Sequence, residues 1–289
     1  MKELVIISGK GGTGKTSLTA AFAFLAKNMV LCDTDVDAAD LHLLMAPEII
    51  ERHDFQGGHK AVINRDKCIE CGLCRELCKW GAIDEGFNVS SIDCEGCGVC
   101  VYFCPEKAIN FPVKTCGEWF ISDTRFGPMV HARLGIAEEN SGRLVTIVRQ
   151  QTNKMAEEKG FDLILTDGPP GVGCPVIASI GGASALLIVV EPTLSGKHDM
   201  IRVAELAGHF KVPTMICVNK FDLNIDETKV IEDTARERNM EVLARIPFDP
   251  VFTKAMVQGQ TIFEYDPRSE ACEGVRGVWE RVTEILEFN

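Results

Sequence analysis

The chain has 289 residues, 46% hydrophobic and 25% charged, with 30 Lys and Arg against 42 Asp and Glu for a net charge of −12. This length and balance fit a soluble globular protein of one large domain with room for a small one. The acidic excess argues against a nucleic-acid or anionic-membrane surface, which needs clustered Lys and Arg, and ALLIVV (185–190), the longest apolar run, is too short to cross a bilayer.

The opening MKELVIISGK runs straight into a strand and a glycine loop, so no signal peptide is expected and a cytoplasmic chain is. ELVIIS (3–8) reads as a strand, TSLTAAFAFLAK (16–27) as a helix and MVLCD (29–33) as a second strand. After a cysteine-rich block come FDLILTD (161–167), SALLIVVEP (184–192), PTMICVNK (213–220) and EVLARIPF (241–248). Helical patterns at 145–158, 197–210, 226–239 and 275–287 alternate with them. Continuous apolar strands between helices predict an α/β fold with a doubly wound, mainly parallel sheet and a ligand site at the strands' carboxyl ends. Residues 55–117 break that rhythm, with Gly and polar residues at both edges. The expected division is therefore 1–54 and 118–289 for the host domain and 55–117 for an insertion. The last amphipathic stretch, GVRGVWERVTEILEF, mixes Arg and Glu on its polar side and is expected to pack on the sheet.

Gly9-Lys10-Gly11-Gly12-Thr13-Gly14-Lys15-Thr16 satisfies GxxxxGK[ST] between a strand and a helix. In that context Gly11, Gly12, Thr13, Gly14 and Ser17 present backbone N–H groups to phosphate at a helix N-terminus. Lys15 is expected at the β- and γ-phosphates and Thr16 at Mg²⁺.

The form GKGGTGKT resembles the deviant phosphate loop of the MinD/ParA/Mrp and nitrogenase iron-protein group of P-loop ATPases. The resemblance implies an ATP-sandwich homodimer in which Lys10 reaches the partner's nucleotide, and a partner-stimulated hydrolysis of ATP. VLCDTDVDAADLH (30–42) is similar to the group's first switch, which implies Asp35 as the residue that positions water and Asp33 as a support for Mg²⁺. Asp37 and Asp40 are expected to cap the following helix. ILTDGPPGVG (164–173) resembles Walker B and the second switch, placing Asp167 at the metal and Gly171 at the γ-phosphate. VNKFDLN (218–224) offers Asn219 to the base and also spells NKxD, which in GTPases reads guanine; the resemblance favours ATP. IPFDPVFTKAMVQGQTIFEY (246–265) looks like the group's C-terminal segment, with Pro247 near the base.

Eight of thirteen cysteines fall within 68–104, a density that points to metal rather than disulfides. Cys68, Cys71, Cys74, Cys78 and Cys94, Cys97, Cys100, Cys104 repeat one spacing, the second ending in Pro105. This matches the run of bacterial two-cluster ferredoxins. That pattern implies two [4Fe–4S] clusters, one on Cys68, Cys71, Cys74 and Cys104, the other on Cys94, Cys97, Cys100 and Cys78. Lys79 replaces the usual proline after Cys78, and Ile83 and Ile109 stand at equal offsets behind the two runs. Zinc is the competing metal, but a doubled four-cysteine run suits it poorly. Cys32 and Cys217 are expected in the core and Cys116 and Cys272 to be inert. Cys174 is open between small-residue packing and a redox role. In FGPMVHARLGIAEENSGRLV (126–145), His131, Arg133, Asn140 and Ser141 suggest either a docking surface or an exposed polar hairpin.

The leading expectation is a dimeric ATP-hydrolysing switch that couples nucleotide state to electron transfer, with an unidentified redox or client partner. A cluster carrier of the Mrp type and a MinD/ParA-like positioning ATPase are the alternatives.

Overall fold

The computed structural model describes residues 1–135 and 141–287, so Asn140 lies outside the described residues. Strand β1 (Lys2–Ser8) leads through the glycine loop into α1 (Lys15–Leu25), followed by β2 (Met29–Asp33), α2 (Leu41–Met45) and β3 (Glu48–His59). The cysteine-bearing stretch holds β4 (Val62–Ile63), α3 (Leu73–Glu76), α4 (Val99–Phe103) and β5 (Ile109–Asn110). Next come β6 (Val113–Thr124), β7 (Gly127–Leu134), α5 (Ser141–Lys159), β8 (Leu163–Pro170), α6 (Cys174–Ile180), β9 (Ala185–Val190) and α7 (Leu194–His209). The chain closes with β10 (Thr214–Asn219), α8 (Ile225–Glu237), β11 (Glu241–Ile246), α9 (Val251–Val257), α10 (Ile262–Tyr265) and α11 (Glu270–Leu286).

The described chain divides into two compact units. One comprises Met1–His53, Trp119–Arg133 and the residues from Ser141 onward; the other comprises Asp54–Glu118 with Leu134 and Gly135.

In the larger unit the sheet order is β11-β10-β9-β1-β8-β2-β7-β6-β3. β1 pairs in parallel with both β8 and β9, β2 with β8 and β7, and β10 with β9 and β11. A mainly parallel α/β sheet is thus the observed fold. Side chains along a strand alternate faces, and the core divides accordingly. Leu4, Ile6, Leu187 and Cys217 face a layer formed by α1, α9, α10 and α11. Val5, Ile7, Ile188 and Ile216 face α6, α7 and α8. Helix α11 packs as its pattern predicts, burying Val275, Val278, Val282 and Leu286, and Trp279 packs on Phe22 at 5.0 Å between ring centroids.

The apolar-run criterion does not reveal β3, β6 and β7. In β6 only Cys116, Phe120 and Ser122 are buried, an every-second or every-fourth pattern broken by Gly117 and by polar neighbours. His131, expected on an exposed surface, is buried in β7, with Ser122 Oγ 2.9 Å from its Nε2 and Phe120 stacked on its ring. Burial pushes its pKa down to about 4, and His42 and Arg133 add to the shift. Strands β6 and β7 are sheet neighbours joined through Arg125 and Phe126, and Arg133 is exposed as expected, but His131 is not, because β7 also pairs with β2 at Leu31–Met129 and Cys32–Val130.

The smaller unit is two repeated halves around a two-stranded antiparallel ladder, with Val62 opposite Asn110 and Ile63 opposite Ile109. Ile83 and Ile109, at like positions in the repeat, are both buried, as are Ala82 and Ala108 before them.

Candidate functional site

The carboxyl ends of β1, β2 and β8 meet at one place. Asp33 and Asp167 are register partners on β2 and β8, and the glycine loop leaves β1 beside them. At Gly14, the residue before α1, φ is 92°, and a Cβ there would lie 2.6 Å from Asn219 Nδ2. Glycine is required on both counts, since L side chains avoid that backbone region and the space is taken. Asn219 Nδ2 donates to the Thr13 carbonyl at 2.8 Å, tying the end of β10 to the loop.

Lys15 lies in a nest of carboxylates. Its Nζ is 2.8 Å from Asp35 Oδ2 and 3.6 Å from Asp167 Oδ1. Burial opposes its charge, yet Asp167 and Asp35, helped by Asp33, more than offset that and hold its pKa above the usual lysine value. Thr16 Oγ1 donates to Asp167 Oδ2 at 2.7 Å and Thr19 Oγ1 to Asp167 Oδ1 at 3.1 Å. The Asp35 amide donates to Asp33 Oδ1 at 3.1 Å, while Asp33 Oδ2 is buried without a partner. Burial and the neighbouring Asp167 push the Asp33 pKa well up; burial does the same to Asp167, with Lys15 pulling the other way. Two adjoining buried carboxylates with an orphaned oxygen fit a divalent cation, and Thr16, Asp33 and Asp167 are the residues able to hold it.

Lys15, Thr16 and Asp35 open on a cleft lined also by Gly11, Gly12, Gly14, Ser17 and Asn219. Its far end is formed by Leu44, Phe248, Asp249, Phe252, Thr253 and Met256. Pro247 is not in this wall. The loop turns one residue later, where the Phe248 amide donates to Asp222 Oδ1 at 2.6 Å, and presents Phe248 and Asp249 instead. Phe252 and Met256 escape sequence reading because apolar residues on an amphipathic helix read as core. Asp40 stands before α2 but its side chain makes no capping bond, and Asp37 is exposed.

Lys10 points back onto its own chain, 3.3 Å from Ser195 Oγ and 3.7 Å from Glu191 Oε2. Glu191 also pairs with Lys220, whose Nζ donates to the Gly12 carbonyl at 3.2 Å. Glu191 carries no motif signal, so its place between Lys10 of the loop and Lys220, which holds the loop, is visible only in the fold. Thr13 Oγ1 is buried without a partner behind the loop rather than in the main cleft. Gly171 follows β8 with φ 92°, its amide donating to the Ser8 carbonyl at 3.0 Å. Cys174 is exposed at the start of α6, packed against Gly142. Cys32 and Cys217 are buried in strands, their thiols pushed up to about 12 by burial.

In the smaller unit one cavity is lined by Cys68, Cys71, Cys74 and Cys104. A second is lined by Cys78, Cys94, Cys97 and Cys100. The remaining walls are largely apolar. The Ala82 amide donates to Cys78 Sγ at 3.4 Å and the Ala108 amide to Cys104 Sγ at 3.3 Å, one N–H···S bond in each half. Among the described residues no three Cys, His, Asp or Glu converge as a single-ion site requires. The thiols instead ring a cavity, the arrangement that suits a multi-atom cluster with apolar walls and N–H donors to sulfur.

Comparison with known proteins agrees with the sheet and loop. The model of the CobQ/CobB/MinD/ParA nucleotide binding domain matches residues 4–262. An uncharacterised protein of Methanocaldococcus jannaschii is 31% identical over 293 residues, covering 98% of this chain and 97% of its own. A cytosolic Fe-S cluster assembly factor NUBP1 homologue of Caenorhabditis elegans is 21% identical, covering 97% of this chain and 80% of its own. The pyruvate synthase subunit PorD of Methanothermobacter marburgensis is 42% identical over 51 residues, 18% of this chain and 63% of its own. Among solved structures, the cell division ATPase MinD of Pyrococcus furiosus superposes with a TM-score of 0.61 at 19% identity, covering 98% of this chain and 99% of that one. No helix among the described residues is long and apolar enough to cross a membrane. With the glycine loop, the parallel sheet and the family match together, the chain belongs to the MinD/ParA-like P-loop ATPase family.

Proposed function

We propose that the protein is a dimeric ATP-hydrolysing switch that couples nucleotide state to electron transfer through two [4Fe–4S] clusters in its smaller unit. The observation that carries this reading is the double set of four cysteines, each lining its own cavity, on the same chain as a complete phosphate-binding loop. Cys68, Cys71, Cys74 and Cys104 would hold one cluster and Cys78, Cys94, Cys97 and Cys100 the other. Clusters of this kind supply one-electron storage at a potential set by their thiolate shell and surroundings. The short PorD likeness supports a ferredoxin-type insertion, and the resemblance of the loop to the MinD group supports ATP and a dimer.

In hydrolysis Gly11, Gly12, Thr13 and Gly14 cradle the phosphates with backbone N–H groups. Lys15 exchanges Asp35 for the β- and γ-phosphate oxygens. Asp35, released, orients the attacking water. The water oxygen bonds to the γ-phosphorus as the bond to the β,γ-bridging oxygen breaks, leaving ADP and phosphate. Thr16, Asp33 and Asp167 would hold Mg²⁺, which neutralises charge on the phosphate oxygens. Lys10 leaves Glu191 and serves the partner subunit's nucleotide. Asn219, with Phe248 and Phe252, would seat the adenine.

The likeness to the NUBP1 homologue favours a second reading, in which the clusters are cargo. Anaerobically purified protein should contain about eight irons and eight sulfides per chain. Incubation with an apo-ferredoxin separates the two readings. Retention of cluster iron while electrons pass supports the switch, and delivery of iron and sulfide faster than spontaneous loss supports the carrier.

A further inference from the structure

The two cysteine cavities arise from one repeated run, so unlike side chains at like positions reveal how the two sites differ. Two residues after the fourth cysteine of each run stand Trp80 and Glu106. Trp80 lies in the wall of the cavity of Cys78, Cys94, Cys97 and Cys100, and Glu106 in the wall of the other. One residue after the first cysteine the order reverses. Ile69 belongs to the wall beside Glu106, and Glu95 to the wall beside Trp80. Each cavity therefore has one of these two carboxylates and one of these two apolar residues; each wall also has one phenylalanine, Phe87 or Phe111, and Trp80 is the one indole in either.

Trp80 lines the cavity while remaining 57% exposed, so it stands where the cavity wall meets solvent. Ala82 and Ile83 behind it are buried and share the same wall, fixing the backbone from which the ring projects. An indole covers a large area with few rotatable bonds and is well suited to exclude water from a site that opens at the surface.

We propose that Trp80 is the solvent lid of the site formed by Cys78, Cys94, Cys97 and Cys100, and that it makes this site the better shielded of the two. The inference rests on the reading that the cysteines hold clusters. Water around a cluster stabilises the extra negative charge gained on reduction, so a lid disfavours reduction and slows attack by oxidants.

The test uses the full chain, purified anaerobically, as wild type, Trp80→Ala, Trp80→Phe and Tyr102→Ala. Tyr102 is 83% exposed and lines neither cavity, so it controls for loss of a surface aromatic. Exposure to dissolved oxygen should bleach about half of the cluster absorbance several-fold faster in Trp80→Ala, with the other half at the wild-type rate. A spectroscopic redox titration should move one midpoint of two to more positive potential. Trp80→Phe and Tyr102→Ala should follow wild type. Emission gives a readout independent of cluster reactivity. A ring beside the cluster is quenched, so Trp80→Phe should lower the emission of metal-free protein but hardly alter that of the loaded protein. Loaded Trp80→Ala protein with both clusters at wild-type bleaching rate and potential overturns the lid. Equal emission loss in loaded and metal-free Trp80→Phe does so even if the alanine variant fails to fold. A wild-type chain that takes up no iron overturns the cluster reading and the lid with it.

Discussion

Lys15 and Lys10 share a loop but have different neighbours, and the difference predicts different phenotypes. Lys15 is buried among Asp35, Asp167 and Asp33, whereas Lys10 is partly exposed and paired with Glu191. In the proposed mechanism Lys15→Ala removes a phosphate ligand and leaves three carboxylates without their cation, so nucleotide affinity and hydrolysis both fall. Lys10→Ala leaves each chain able to bind ATP but removes a charge supplied across the dimer, costing hydrolysis about 10³-fold with little change in affinity. Equilibrium binding of a fluorescent ATP analogue beside single-turnover hydrolysis checks the split.

His131 makes a prediction in pH. Its folded pKa of about 4 lies below the ordinary histidine value of 6.5, so the unfolded chain binds the extra proton first as pH falls. Stability from the neutral, buried ring is complete above pH 6.5 and is lost as pH falls toward 4, by about 2 kcal/mol between pH 7 and pH 5. Urea unfolding across that range should show this loss in wild type and a flatter profile in His131→Asn. The sequence suggested a surface for this histidine because it and Arg133 are polar residues set between short apolar pieces. Its burial follows from the pairing of β7 with β2, which no local pattern announces.

At the scale of elements, the glycine loop is held by its ends. Gly14 starts α1 in a left-handed conformation against Asn219, and Asn219 in turn holds Thr13. Gly14→Ala should therefore cost about 1–2 kcal/mol from backbone strain alone and displace Asn219 from the loop. Thermal unfolding and ATP titration should both register it, with affinity falling more than stability. The parallel strands were legible because buried strands of this kind are unbroken apolar runs, and ELVIIS and FDLILTD end in the residues that meet at the cleft. Strands β3 and β6 were not, because exposed positions interrupt them: Glu48 to Arg52 of β3 are all exposed; in β7 the buried run Met129 to Ala132 contains His131, which breaks the apolar pattern. The cleft's apolar end was hidden for a related reason. Leu44, Phe252 and Met256 come from short helices whose faces cannot be assigned to a ligand or to a core from spacing alone.

For the whole molecule, the chain joins two compact units of different chemistry, and crosses between them within β3, within β6 and again at the end of β7. In the larger unit Lys15 and Asp35 are ion-paired at 2.8 Å, and in the proposed mechanism ATP takes Lys15 and frees Asp35 to orient water. That rearrangement is the event proposed to govern electron release from the smaller unit. The direct test is anaerobic stopped-flow oxidation of the reduced protein by a fixed electron acceptor, with ATP, with ADP and without nucleotide, in wild type and Lys15→Ala. Coupling of 1–3 kcal/mol predicts that ATP changes the wild-type rate by at least about five-fold and leaves the variant unchanged. Equal wild-type rates under all three conditions would contradict the account.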